Sequence, residues 1–78
     1  MSNDKFVLQF THEEALVLFD WISRLNELED SSTIQDQAEK RILWDIESML
    51  ERSLPEVLDP DYESQLAAAR EKVRDLEA

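Results

Sequence analysis

With 19 acids against 8 bases, this chain of 78 residues carries a net charge of −11. One domain is expected at that length, and binding to nucleic-acid phosphates or anionic membrane surfaces is disfavoured, because affinity there comes from Lys and Arg. Glycine is absent, which excludes the phosphate-cradling loops and dinucleotide fingerprints that need its close backbone approach.

Cysteine is absent too, so no disulfide staples the fold and a reducing cytoplasm is the expected compartment. A core of this size rarely supplies more than about 3–5 kcal/mol. Helix packing or self-association must therefore hold the structure. No apolar run approaches the roughly 18 residues of a membrane span. The N-terminus has an acid, Asp4, before its first base, Lys5, and no small-residue cleavage site. A signal peptide is therefore not expected.

Residues 1–5 are expected to fray. Phe6-Val7-Leu8-Gln9-Phe10 then alternates, with Phe6, Leu8 and Phe10 on one side, like a short strand. No second strand signal follows, and a lone strand leaves backbone groups without partners. Two solutions are open. The segment lies extended across the helices as an apolar lid, or it pairs with the same segment of a second chain.

Thr11 to Glu29 reads as the most apolar helix. Thr11 and Glu14 have capping-box spacing, and Phe10 can staple onto Ala15. At roughly 100° per residue, Ala15, Leu18, Phe19, Ile22 and Leu25 form one stripe. Val17, Trp21 and Leu28 widen it to an arc of about 200°, which needs covering from more than one side. Asp20, Ser23, Arg24 and Glu27 fill the remaining face, with Leu16 stranded among them.

Ser32 and Gln35 repeat the capping-box spacing, which starts a second helix near Thr33. Its core stripe is Ile34, Ala38, Ile42, Ile46, Met49 and Leu50, with Leu43 at the edge. Asp36 and Lys40 have the favourable acid-before-base order. Pro55 ends the helix by pushing Leu54 out of helical geometry. Val57 and Leu58 in the connector are expected to dock on the core. Asp59 caps a third helix with Pro60 in its first position. Its seam is Tyr62, Leu66, Ala69, Val73 and Leu76, too short to assert a coiled coil.

Little here carries chemistry. His12-Glu13 begins like a zinc-protease motif, but position 16 is Leu, not a second histidine. Asp59, Asp61 and Glu63 have the spacing of a calcium loop, yet its sixth position is Ser64 and its twelfth Arg70, where glycine and glutamate are required. No serine has a plausible base beyond His12. No catalytic residue, metal site or cofactor is expected, and the chain reads as not an enzyme; an undetected activity stands as the second alternative.

Two features read as interaction surfaces. Trp44 lies opposite the core stripe of the second helix, flanked by Gln37, Lys40, Glu47, Ser48 and Glu51. It is either covered by the N-terminal segment or the third helix, or it is an exposed aromatic anchor in a charged rim. The second feature is charge: residues 13–36 and residues 45–63 each hold seven acids and one base. That distribution could present an acidic face to a basic protein.

The stretches T-H-E-E-A-L-V-L-F-D-W-I, A-E-K-R-I-L-W-D-I-E-S-M-L-E and L-P-E-V-L-D-P-D-Y resemble short acidic bacterial proteins without an assigned activity. That resemblance implies a bacterial, cytoplasmic protein and supplies no functional residue.

The expected architecture is all-α: an antiparallel three-helix bundle over residues 12–29, 33–53 and 60–77, with a strand-like N-terminal segment over 6–10. The expected function is a non-catalytic protein–protein interaction module able to form a homodimer, with Trp44, Phe6, Leu8, Glu47 and Glu51 as its contact residues. The first alternative is an acidic inhibitor, immunity or antitoxin-like partner of a basic protein.

Overall fold

The computed structural model describes residues 5–28 and 34–75. Of the residues 1–5 predicted to fray, all but Lys5 lie outside them, as do the Ser32 cap, the helix start at Thr33 and Leu76 of the third seam. Among the described residues the fold is all-helical and without strands. Helix α1 spans His12–Glu27, α2 Gln37–Ser53 and α3 Tyr62–Asp75, with a 3₁₀ turn over Pro55–Leu58 between α2 and α3. No helix of the described residues is long and apolar enough to cross a membrane.

The start of α1 is set by its predicted capping box. Thr11 N–H donates to Glu14 Oε1 at 2.8 Å, and Glu14 N–H donates to Thr11 Oγ1 at 3.1 Å. These two bonds satisfy donors that a bare helix end leaves open. The helix stops at Glu27, and Leu28 turns to extended backbone.

The second cap falls later than Ser32. Asp36 is the N-cap of α2, and its Oδ1 accepts from Ala38 N–H at 2.7 Å. Glu39 Oε1 accepts from Gln35 N–H at 2.7 Å. Asp36 is therefore spent on the helix end instead of pairing with the Lys40 ammonium. At the other end, Leu54 is extended ahead of Pro55, as the proline requires. The third helix starts two residues after Pro60, behind a turn in which Asp59 Oδ1 accepts from Asp61 N–H at 2.9 Å.

Helix α1 is the central element. It packs against both α2 and α3, while α2 and α3 do not approach each other among the described residues. The core cluster is Leu16, Phe19, Leu54, Leu66 and Ala69, with Ala15, Val17, Leu50, Val57 and Tyr62 packed against it. Leu16, expected on the polar face, is only 2 % exposed. The cause is α3, which covers that side of α1 and buries Leu16 beside Leu66 and Ala69.

Asp20, among the polar residues around Leu16, is the centre of a bonded group. Tyr62 OH donates to Asp20 Oδ1 at 2.9 Å, and Arg24 Nε and Arg70 Nη2 each donate to Asp20 Oδ2 at 3.0 Å. Burial, followed by the bond to Asp20, pushes the Tyr62 phenol well above its ordinary range.

Burial on α2 also departs from its predicted stripe. No residue of α2 is buried. Leu43, Ile46 and Leu50 are half-buried, whereas Ala38, Ile42 and Met49 are exposed. The face toward α1 is thus turned past the apolar stripe, because Glu47 and the Leu43 carbonyl approach Asn26. In the 3₁₀ turn Val57 joins the core and Leu58 stays exposed. The seam of α3 lies as predicted, with Leu66 and Ala69 buried and Tyr62 and Val73 half-buried.

Candidate interaction surface

Trp44 sits on α2 with 54 % of its surface exposed. The helix places it there by rotation: roughly 100° per residue turns position 44 away from Leu43, Ile46 and Leu50, which approach α1. Lys40, one turn earlier, lies with its ammonium 5.7 Å from the ring centroid. That distance is within cation–π range. Gln37, Lys40, Arg41 and Trp44 line a shallow depression of about 320 Å³. Arg41 Nε lies 3.6 Å from Asp45 Oδ1 beside it.

Glu47 and Glu51 stand three and seven residues after Trp44, on the same side of the helix. Their roles differ. Glu47 is half-buried and its Oε1 accepts from Asn26 Nδ2 at 2.6 Å, so it holds α1 to α2. Glu51 is exposed. Phe6 and Leu8 belong to a different segment, ahead of α1, and are almost fully exposed. Neither covers the core, which removes the apolar-lid solution for them in the single chain. Arg41 was not among the expected rim residues; its position three before Trp44 was the available signal.

A second group was not legible in the sequence. His12 Nε2 contacts Glu56 Oε2 across 44 residues, and Lys72 Nζ lies 3.5 Å from Glu13 Oε2. With Leu16, Gln65, Ala68 and Ala69 they line a cleft of about 300 Å³ between α1, the 3₁₀ turn and α3. The hydrogen bond to His12 holds the Glu56 carboxyl below its ordinary value. Glu13 is held low first by its backbone hydrogen bond at the helix start and then by Lys72. These four side chains form two separate pairs, one tying α1 to the 3₁₀ turn and the other tying α1 to α3. Among the described residues, no group of three or more His, Asp or Glu converges on one point.

A further apolar area lies on the flank of α1. Trp21, Leu25 and Leu28, with Arg24 and Glu27, line a depression of about 430 Å³.

No protein-family model matches the chain, and it matches neither a curated protein nor a solved structure.

Proposed function

We propose that this chain is a small non-catalytic protein–protein interaction module that presents Trp44 to a protein partner. The observation behind this reading is the half-exposed Trp44 ring with Lys40 over it, Arg41 lining the same depression and the exposed Glu51 two turns along the same side of the helix. An exposed indole within a charged rim is the usual composition of an interface hot spot. The scaffold is an antiparallel bundle with an extended segment ahead of it. In support, the start of α1 (Leu16) clusters with Leu54, and Asn26 near its end meets Leu43 and Glu47. On the other side Tyr62 meets Asp20 and Lys72 meets Glu13. A cytoplasmic location agrees with the absence of cysteine.

The acidic charge favours a second reading, an inhibitor-like partner of a basic protein. Three of the eight bases, Arg24, Arg70 and Lys72, are paired with the chain's own Asp20 and Glu13. The excess of acids is thus left facing outward.

The two readings separate by affinity capture with the full chain and its Trp44→Ala variant, at low and high salt. A partner held by the native chain, lost with Trp44→Ala and insensitive to salt, supports the Trp44 module. Capture that ignores Trp44 and disappears in salt supports the acidic reading, because screening weakens exposed charge pairs.

A further inference from the structure

We infer that the occupant of the Trp44 depression is an acidic segment of the partner protein. It sets an apolar side chain on the indole and a neighbouring carboxylate against Lys40 and Arg41. This rests on the reading of Trp44 as a partner contact and names the chemistry of the partner at that same surface.

The first ground is charge. The chain is at −11, yet Gln37, Lys40, Arg41 and Trp44 line the depression without an acid. The other two depressions mix both signs: one holds Arg24 with Glu27, the other His12 and Lys72 with Glu13 and Glu56.

The acids around α2 do not supply the missing carboxylate. Asp36 caps the helix through Ala38 N–H. Glu39 is exposed, accepts from Gln35 N–H, and stands about 140° around the helix from Trp44. Glu47 is held by Asn26. Exposed Glu51 stands seven residues on, about 10 Å along the axis. Asp45 reaches Arg41 at 3.6 Å, with both side chains largely in water. Such exposed pairs are worth little, and the base-before-acid order is the weaker one. Arg41 can therefore turn to a second carboxylate. Among the described residues, no carboxylate lies within ion-pair distance of Lys40.

The second ground is hydrogen bonding. Ammonium, guanidinium and indole groups donate and cannot accept. Of the lining side chains only Gln37 carries an acceptor, its amide oxygen. The depression thus holds donors in excess. A carboxylate, which accepts at both oxygens, is the side-chain group that answers them best.

Size and field select a peptide segment over other anions. The volume of about 320 Å³ is at the low end of the roughly 300–1,000 Å³ of ligand pockets. That is room for a side chain or two. A nucleic acid or an anionic bilayer would also meet the acidic field of the whole chain. A short segment escapes most of it, because physiological salt screens charges beyond about 8 Å, which is less than the distance to Glu51. An inorganic anion leaves the indole face unused, whereas an apolar side chain next to the carboxylate covers it.

The test is a titration of the full chain, labelled with nitrogen-15 and followed by NMR in physiological salt. The probes are the capped peptide Ser-Gly-Glu-Phe-Glu-Gly-Ser and two relatives with Gln or Lys in place of both Glu residues. The indole N–H resonance of Trp44 is the readout, and that of Trp21, the other tryptophan, is the internal control. The Glu peptide should shift the Trp44 resonance and the Lys40 and Arg41 amides. It should bind about 3- to 10-fold more tightly than the Gln peptide, the range that two exposed ion pairs supply. Lys40→Gln/Arg41→Gln should abolish that preference and leave binding of the Gln peptide unchanged. Trp44→Ala should abolish binding of both. High salt should narrow the preference without releasing the peptide, because the indole contact is apolar.

A Glu peptide that binds no more tightly than the Gln peptide overturns the inference, and the comparison on the native chain needs no variant to fold. A preference that survives the double variant overturns it too, as does tighter binding of the Lys peptide at Trp44. Inorganic phosphate that moves the Trp44 resonance as the Glu peptide does would make the site a general anion site. A Trp44 resonance that moves with the chain's own concentration would make a second copy the occupant. Either result also overturns the acidic segment. Equal binding of the Glu and Gln peptides at Trp44 leaves the interaction module standing. If no peptide moves the resonance, the inference falls and the module is judged by partner capture alone.

Discussion

Tyr62 and Asp20, 42 positions apart, are joined by a 2.9 Å hydrogen bond that fastens α3 to the centre of α1. The same carboxylate receives Arg24 from its own helix and Arg70 from α3. Its side chain is only 14 % exposed, and its bond to Tyr62 is part-buried, where a hydrogen bond is stronger than in water. The two arginines reach it from the exposed side. Replacing Asp20 by Ala leaves a phenol and two guanidinium groups without their acceptor. A loss of about 1.5–3 kcal/mol is expected in urea unfolding. Tyr62→Phe removes a single bond and should cost about 0.5–1.5 kcal/mol. Equal costs for the two variants would contradict the hub role of Asp20.

Leu16 provides the test of the core. It sits between α3 and the start of the 3₁₀ turn, in the cluster with Leu54, Leu66 and Ala69. Leu16→Ala is expected to destabilise by about 2–5 kcal/mol, through lost burial and the cavity left behind. A change below about 0.5 kcal/mol would place Leu16 back on a solvated face.

The pH profile should have two limbs. The Glu56 carboxyl is held below its ordinary 4.5, chiefly by His12. Its contribution is therefore complete above pH 4.5 and is lost as pH falls through the lower folded value. Glu13 follows the same sign. Tyr62 runs the other way: its phenol is raised above the ordinary 10.0, so its contribution is complete below pH 10 and fades as pH rises further. Chemical unfolding across pH 2–12 should show Glu56→Gln flattening the acid limb and Tyr62→Phe the alkaline one. Unchanged limbs in those variants would break the assignment.

At the start of α2, Asp36→Ala should cost about 0.5–2 kcal/mol, the range for losing a side-chain cap. The measurement is the shift in thermal midpoint, with helicity at 222 nm as the probe. No shift would mean that the helix begins elsewhere.

Local signals were legible in the sequence and long-range ones were not. The Thr11–Glu14 box and the 62-66-69-73 seam need only spacing along one helix, and the structure places them as that spacing predicts. The α2 cap was misplaced because two cap-like patterns follow each other, Ser32 with Gln35 and Asp36 with Glu39. Asp and Ser rank alike as caps, so propensity cannot choose between them. Leu16 was misread for a different reason. A helix wheel shows which faces are apolar, but not which face a third helix will cover. The His12–Glu56 contact joins residues 44 positions apart, and nothing in either neighbourhood signals the other. Trp44 could be placed on the wheel, but whether a neighbour covered it depended on packing that the wheel does not contain.

The central claim is that Trp44 is held at the surface for a partner and does not maintain the fold. Urea unfolding of Trp44→Ala tests it most directly. With the ring half exposed and no core residue among the side chains lining its depression, a change within about 1 kcal/mol is expected, since exposed substitutions rarely cost more. A loss of about 3–5 kcal/mol, the cost of emptying a buried aromatic site, would mean that Trp44 belongs to the core and that the proposed surface does not exist.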